Sequence, residues 1–135
     1  GRSEIIRKGK KIAVLGVGSM IPSCMKICKG LKDDGYDPTF VNARFVKPLD
    51  VDLLDELAKD HSLFVTVEEN VKSGGYGEHV SAYMEACHPE IRVLSAAVWD
   101  RFVPQGNVES LRSRIGLGVE DIRQAIEDSE ELREQ

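Results

Sequence analysis

The sequence predicts an α/β fold: a three-layer α/β/α sandwich around a mainly parallel sheet of about five strands. Three observations lead there. Short runs such as 11-KIAVLG-16 and 62-SLFVTVE-68 have the continuous apolar character of strands buried on both faces. They alternate with stretches whose apolar residues recur every three or four positions, the mark of helices with one inward stripe. Glycine, proline, asparagine and aspartate punctuate the joins. Alternation of this kind builds βαβ units with right-handed crossovers, so helices cover both faces of the sheet.

The elements follow in order. Residues 3–7 form a short strand and 11–16 a buried one. Gly16-Val17-Gly18-Ser19 is a tight turn, with Ser19 as the N-cap of a helix running to Asp34. Pro22 falls in that helix's first turn, where a missing N–H costs little. Ile21, Cys24, Cys28 and Leu31 form its inward stripe, and Gly35 closes it in a left-handed conformation. Asp37-Pro38 turns the chain into a strand over 39–43. Asp50 caps a helix that turns Leu53, Leu54, Leu57 and Ala58 inward. A buried strand over 62–68 leads to a helix over 77–87, carrying Val80, Tyr83, Met84 and Cys87 and stopped by Pro89. Residues 91–96 are a further buried strand. Asn107 caps a short helix with Val108, Leu111 and Ile115, which Leu117-Gly118 breaks. The last helix uses Val119, Ile122 and Ile126. Residues 1–128 are expected to form one domain, and 129–135 a frayed polar tail.

Composition narrows the function classes. The 135 residues carry a net charge of -5, with 41% hydrophobic and 30% charged residues. An acidic balance argues against a nucleic-acid partner, whose phosphates require a basic face. No apolar run approaches the roughly 20 residues of a membrane span. The basic N-terminus has no apolar segment behind it and does not read as a secretory signal. The chain starts without methionine, in the middle of strand-like sequence, which reads as a piece of a longer protein. Cys24, Cys28 and Cys87 make an odd set without framework spacing, as expected for a reducing, cytoplasmic setting. Cys24 and Cys28 share one helix face. They could be metal ligands, but Ile21 and Leu31 make that face apolar, so packed thiols are the expected reading. His61, His79 and His88 lie far from both in sequence, and no zinc spacing is present.

Two loops leave the carboxyl ends of predicted strands, where open sheets bind ligands at a topological switch point. The first, with Gly18 and Ser19, opens a helix whose free N–H groups and dipole suit an anion. It is neither a dinucleotide fingerprint, since Ile21 stands where the third glycine belongs, nor a P-loop. A plain strand-to-helix turn is the competing reading. The second carries Glu68, Glu69 and Asn70, then Gly74, Gly75 and Gly77, with His79 in the following helix. Two adjacent carboxylates could do acid–base work, but successive strand residues point to opposite faces, so at most one of Glu68 and Glu69 aims at a given crevice. One is instead expected to cap or tie a neighbouring segment while the other faces solvent. His79 reads as a surface or capping residue. Trp99 and Phe102, with Pro104 nearby, either cover the sheet's end or pack on another domain. No nucleophile elbow and no Ser/His/Asp or Cys/His set converges by spacing. The residues therefore give an α/β domain with a plausible crevice and no catalytic set of its own.

Several separated motifs resemble a known family. The runs 9-GKKIAVLGVGSM-20, 42-NARFVKPLD-50, 66-TVEEN-70 with 74-GGYG-77 and 79-HV-80, 100-DRFVPQG-106 and 116-GLGVEDIRQAI-126 are similar in order and spacing to the C-terminal domain of 1-deoxy-D-xylulose-5-phosphate synthase. That domain belongs to the transketolase C-terminal domain superfamily. The resemblance covers nearly the whole chain. It implies a complete transferase that uses thiamine diphosphate and Mg²⁺ to join pyruvate to D-glyceraldehyde 3-phosphate, with loss of CO₂. The product feeds isoprenoid, thiamine and pyridoxal synthesis. The resemblance further implies that cofactor, metal and catalytic residues belong to other domains. This fragment would then bind no cofactor or metal, have no turnover alone, and pack against its own enzyme's other domains and a second copy in a homodimer. Glu68 and Asn70 would tie the second loop, Gly74, Gly75 and Gly77 would permit its path, and Phe102 and Pro104 would face a neighbouring domain. A free-standing module binding a small or regulatory ligand through the two loops is the alternative.

Overall fold

The structure is a computed structural model that describes residues 3–44, 49–69, 75–98 and 118–134, the side chains of 97, 98 and 131–134 excepted. Its elements are β1 (Glu4–Arg7), β2 (Lys11–Val17), a 3₁₀ turn (Gly18–Met20), α1 (Ile21–Asp33), β3 (Thr39–Ala43), α2 (Val51–Ala58), β4 (His61–Glu69), α3 (Tyr76–Cys87), β5 (Arg92–Val98) and α4 (Val119–Glu134). The five strands form one sheet in the order β1-β3-β2-β4-β5. All neighbours are parallel except β1, which pairs antiparallel to β3. The expected fold class and mainly parallel sheet are thus both found.

The apolar runs in β2 and β4 are buried on both faces because helices cover both. On one side α1 and α4 set Cys24, Ile27, Cys28 and Leu31 with Ile122 and Ile126 against Ile12, Val14, Leu63 and Val65. On the other side α2 and α3 set Leu54, Leu57, Val80 and Met84 against Ala13, Leu15, Val41 and Phe64. From β2 the chain crosses by α1 to β3. It then returns by α2 past β2 to β4, and continues by α3 to β5. The strand order therefore reverses between β2 and β4, and helices leave these neighbours on opposite faces. That junction is the topological switch point.

Two expectations need correction. Ser19 is not the N-cap of α1: residues 18–20 form a 3₁₀ turn, Met20 holds the cap position without a side-chain cap, and the Ser19 hydroxyl is used elsewhere. The 129–134 stretch is also helical rather than frayed, because α4 continues to Glu134 with Ser129 and Glu130 buried. Its docking is partly polar. Arg123 Nη1 donates to Asp34 Oδ2 at 2.7 Å and to Glu127 Oε2 at 2.6 Å, and Nη2 donates to Glu120 Oε2 at 2.8 Å. The missing side chain of Gly30 makes room for the Arg123 stem on α1. Arg92 Nη1 donates to Ser129 Oγ at 2.9 Å. Gly35 does close α1 with a left-handed φ of 97°. The helix expected after Asn107 lies outside the described residues.

At the amino-terminal edge of the sheet a buried relay joins three segments. The Gly9 N–H donates to Thr39 Oγ1 at 2.8 Å, the Thr39 hydroxyl lies 2.6 Å from His61 Nε2, and His61 Nδ1 lies 2.9 Å from the Leu57 carbonyl oxygen. A carbonyl only accepts, so Nδ1 carries a hydrogen, and Asp60 Oδ1 also lies 2.7 Å from that nitrogen. On the α2/α3 surface, Asp55 Oδ1 accepts from Tyr83 and from His88 Nε2, each at 2.7 Å, and so cross-links the two helices. β1 carries a bulge between Ile5 and Arg7 and leaves Ile5 and Ile6 38% and 47% exposed.

The helix face shared by Cys24 and Cys28 packs into the core, as expected for buried thiols. Burial drives both pKa values up, the Cys28 thiol to about 12, against the opposing pull of Arg7 and Lys32. Cys87 is exposed. A thiol-specific reagent at neutral pH is therefore expected to titrate one thiol quickly in the native chain and three after denaturation. Fast reaction of two or more native thiols would contradict this packing.

Candidate functional site

The site lies at the carboxyl edge of β2 and β4. These strands are neighbours in parallel register, with Gly16 opposite Val67, so their carboxyl ends lie side by side. The described ends of the two candidate loops, Gly18–Ser19 and Glu68–Glu69 with Gly75–Gly77, are thus brought to one edge. Gly18 has a φ of 54°, a left-handed turn that redirects the chain into the 3₁₀ segment and aims Ser19 across the switch point. There the Ser19 hydroxyl donates to Glu69 Oε1 at 2.5 Å. The bond spans the junction where open sheets of this kind bind ligands.

Glu68 points to the opposite face, as the strand period requires. It sits under the first turn of α3. Gly75 is the N-cap of that helix and has no side chain with which to cap it. Glu68 does so instead: its Oε1 accepts the Tyr76 N–H at 3.0 Å and its Oε2 the Gly77 N–H at 2.7 Å. The carboxylate also meets the positive end of the helix dipole. A side-chain cap of this kind contributes on the order of 1 kcal/mol.

Gly77 supplies close approach as well as a donor. A Cβ added there would lie 2.6 Å from Thr66 Oγ1, 2.8 Å from Glu68 Oε2 and 3.0 Å from Ser95 Oγ. Thr66 and Ser95 are directly opposite in the β4–β5 register, which is why both hydroxyls come close to Gly77. Thr66 Oγ1 is buried without a hydrogen-bond partner among the described residues. Ser95 Oγ lies 3.4 Å from Ser81 Oγ. Tyr76 is buried beside this group. Burial raises its pKa, and the carboxylates of Asp50 and Glu68 push it in the same direction.

A third carboxylate joins the edge. Asp50 caps α2, its Oδ1 accepting from the Leu53 N–H at 3.4 Å, and its Oδ2 accepts the Ser3 N–H at 3.2 Å. The Ser3 hydroxyl in turn accepts the Arg44 N–H at 3.1 Å. The start of β1 is thereby pinned to the carboxyl edge.

Of the residues singled out from sequence, Gly18, Ser19, Glu68, Gly75 and Gly77 converge here. His79 is half-buried in the first turn of α3, its N–H bonded to the Gly75 carbonyl oxygen at 3.2 Å. Asn70, Gly74, Phe102 and Pro104 lie outside the described residues. Sequence reasoning passed over Thr66, Ser95 and Asp50's second bond. A hydroxyl inside the apolar run LFVTV was the available signal. Among the described residues, no three or more His, Cys, Asp or Glu side chains gather to hold a metal ion. No helix among them is long and apolar enough to cross a membrane.

Residues 1–122 match the family model described as the C-terminal domain of transketolase. The chain belongs to that family. Its curated relatives include the 1-deoxy-D-xylulose-5-phosphate synthases of Lachnoclostridium phytofermentans and Dictyoglomus thermophilum, each 40% identical over 90% and 93% of this chain respectively. The synthase of Nitrosomonas europaea is also 40% identical, over 95% of the chain. In each case the match spans only 20% of the relative, so this chain is about a fifth of their length. A solved split-gene transketolase, described as an inactive beta4 tetramer, superposes with a TM-score of 0.75 at 28% identity. It matches 94% of this chain and 41% of that one. The chain is thus homologous to the C-terminal region of a transketolase-family transferase.

Proposed function

We propose that this chain is the C-terminal domain of a 1-deoxy-D-xylulose-5-phosphate synthase, serving domain packing and dimer assembly rather than chemistry. The observation that carries the reading is 40% identity to such synthases across nine-tenths of the chain. The complete enzyme would condense pyruvate with D-glyceraldehyde 3-phosphate in the cytoplasm, using thiamine diphosphate and Mg²⁺ held by its other domains.

The residues at the carboxyl edge do not fit that cofactor. A diphosphate is drawn to free helix N-termini. Here Glu68 occupies the start of α3, Asp50 that of α2, and Glu69 the turn ahead of α1. Three carboxylates at one edge repel a diphosphate. They oppose the alternative of a phosphorylated-metabolite module for the same reason. The bonds of Ser3 to Asp50 and Arg44 at this edge support packing of another domain there.

The test is direct. The 135-residue chain is expected to release no CO₂ from pyruvate and glyceraldehyde 3-phosphate, with or without thiamine diphosphate and Mg²⁺. Deleting the corresponding region from a full-length synthase is expected to shift its sedimentation from dimer toward monomer. Turnover by the chain alone, or an unaltered dimer after deletion, would refute the assembly role.

A further inference from the structure

The first turn of α3 has the construction of a ligand site. Two adjacent N–H groups, those of Tyr76 and Gly77, converge on the two oxygens of one carboxylate. The helix behind them is 12 residues long, enough for its dipole to act at the site. Thr66 adds a fully buried hydroxyl without a partner among the described residues. This hydroxyl and the bound oxygen Glu68 Oε2 both lie within 3 Å of the position a Gly77 Cβ would take. A buried hydroxyl left unbonded is costly, and a donor beside a bound anion is its natural use.

We propose that this turn is an oxyanion-binding cradle occupied by the chain's own Glu68, and that it accepts a small external carboxylate once Glu68 is removed or withdrawn. Glu68 is then a tethered ligand. Its attachment through β4 gives it a high effective concentration, so free carboxylates do not displace it in the wild-type chain. The ligand class follows from the donors. Two neighbouring N–H groups match the two oxygens of a planar carboxylate, and phosphate presents the same oxygens with more charge and bulk. Gly77 is required because any side chain would fill the cradle. The inference is independent of the assembly role, and its test reads stability and amide resonances rather than activity.

The experiment compares the wild-type chain with Glu68→Ala, titrating each with sodium acetate and sodium phosphate against sodium chloride of equal ionic strength. Glu68→Ala is expected to melt roughly 5 °C lower through the lost cap. Acetate is expected to restore much of that loss in a saturable way while leaving the wild type unmoved. Equal acetate responses in the two proteins would overturn the proposal. Glu68→Ser, whose short side chain vacates the turn, covers the case in which the alanine variant does not fold. In it, the Tyr76 and Gly77 amide resonances are expected to shift and saturate with acetate, and non-saturating shifts would overturn the proposal. Adding Thr66→Val to either variant is expected to weaken acetate binding about fivefold through the lost hydrogen bond. An unchanged dissociation constant would remove Thr66 from the cradle, and the proposal with it. Phosphate binding tighter than acetate would overturn the assignment to carboxylates.

Discussion

Replacing Gly9 with alanine is expected to destabilise the chain by about 3 kcal/mol, the upper end of what overpacking costs. The added Cβ would be driven into backbone that cannot step aside. It would meet the Asp37 carbonyl oxygen and approach the Pro38 oxygen and carbon at 2.6 and 2.7 Å. The same backbone is fixed by the Lys10 N–H, which donates to the Asp37 oxygen at 2.8 Å. Moving it would also pull Gly9 from Thr39 and disturb the Thr39–His61 pair. Gly18→Ala is the control. Its φ of 54° disfavours a side chain, but nothing lies within 4 Å of the new Cβ, so only the left-handed cost of about 1 kcal/mol applies. Urea unfolding of both variants checks the ordering. A Gly9 variant as stable as the wild type would show that this close approach is not rigid.

Truncating Phe64 to alanine is expected to cost about 3–5 kcal/mol, the range for a buried aromatic replaced by a cavity. Phe64 is fully buried in the core beneath α2 and α3, with Leu54, Leu57, Val80 and Met84 in the same cluster. It stands two positions before Thr66 and four before Glu68 on one strand face, so it seats the helix whose first turn Glu68 caps. The expected signature is a fall of roughly 10–20 °C in Tm with an unchanged denaturant slope. Phe64→Leu, which keeps most of the volume, is expected to lose less than half as much. Equal losses from the two substitutions would argue that packing beneath α3 is not the cause.

Much of the fold was legible because its signals are local. The apolar runs at β2 and β4 mark doubly buried strands, and Gly35 and Asp50 mark the helix ends that they occupy. Alternation alone then implies helices on both faces. Contacts between segments distant in sequence were less legible. Ser19 has the chemistry of an N-cap, and nothing local distinguishes an α-helical start from the 3₁₀ turn that frees its hydroxyl for Glu69, fifty residues away. Opposite orientations of Glu68 and Glu69 follow from the strand period. Which helix turn would take Glu68 does not, because Gly75 offers no capping side chain of its own. The burial of Ser129 and Glu130 escaped the sequence reading because their neighbours, Glu127, Asp128 and Glu131, give that stretch the polarity of a solvated tail. Arg92 bonds Ser129 from 37 residues away, and Arg123 ties the same helix to Asp34, 89 residues away, so neither contact is visible locally.

The irregular pairing of β1 has a consequence for the chain on its own. β1 lies at the margin of the sheet with two partly exposed isoleucines, an arrangement that invites the margin of another molecule to zip onto it. The extra residue between Ile5 and Arg7 throws the outer amides and carbonyls out of step, and Glu4 and Arg7 place charge at either end of the short ladder. A strand interrupted in this way is a poor template for fibril growth, which guards the polypeptide against polymerisation even when nothing covers that flank.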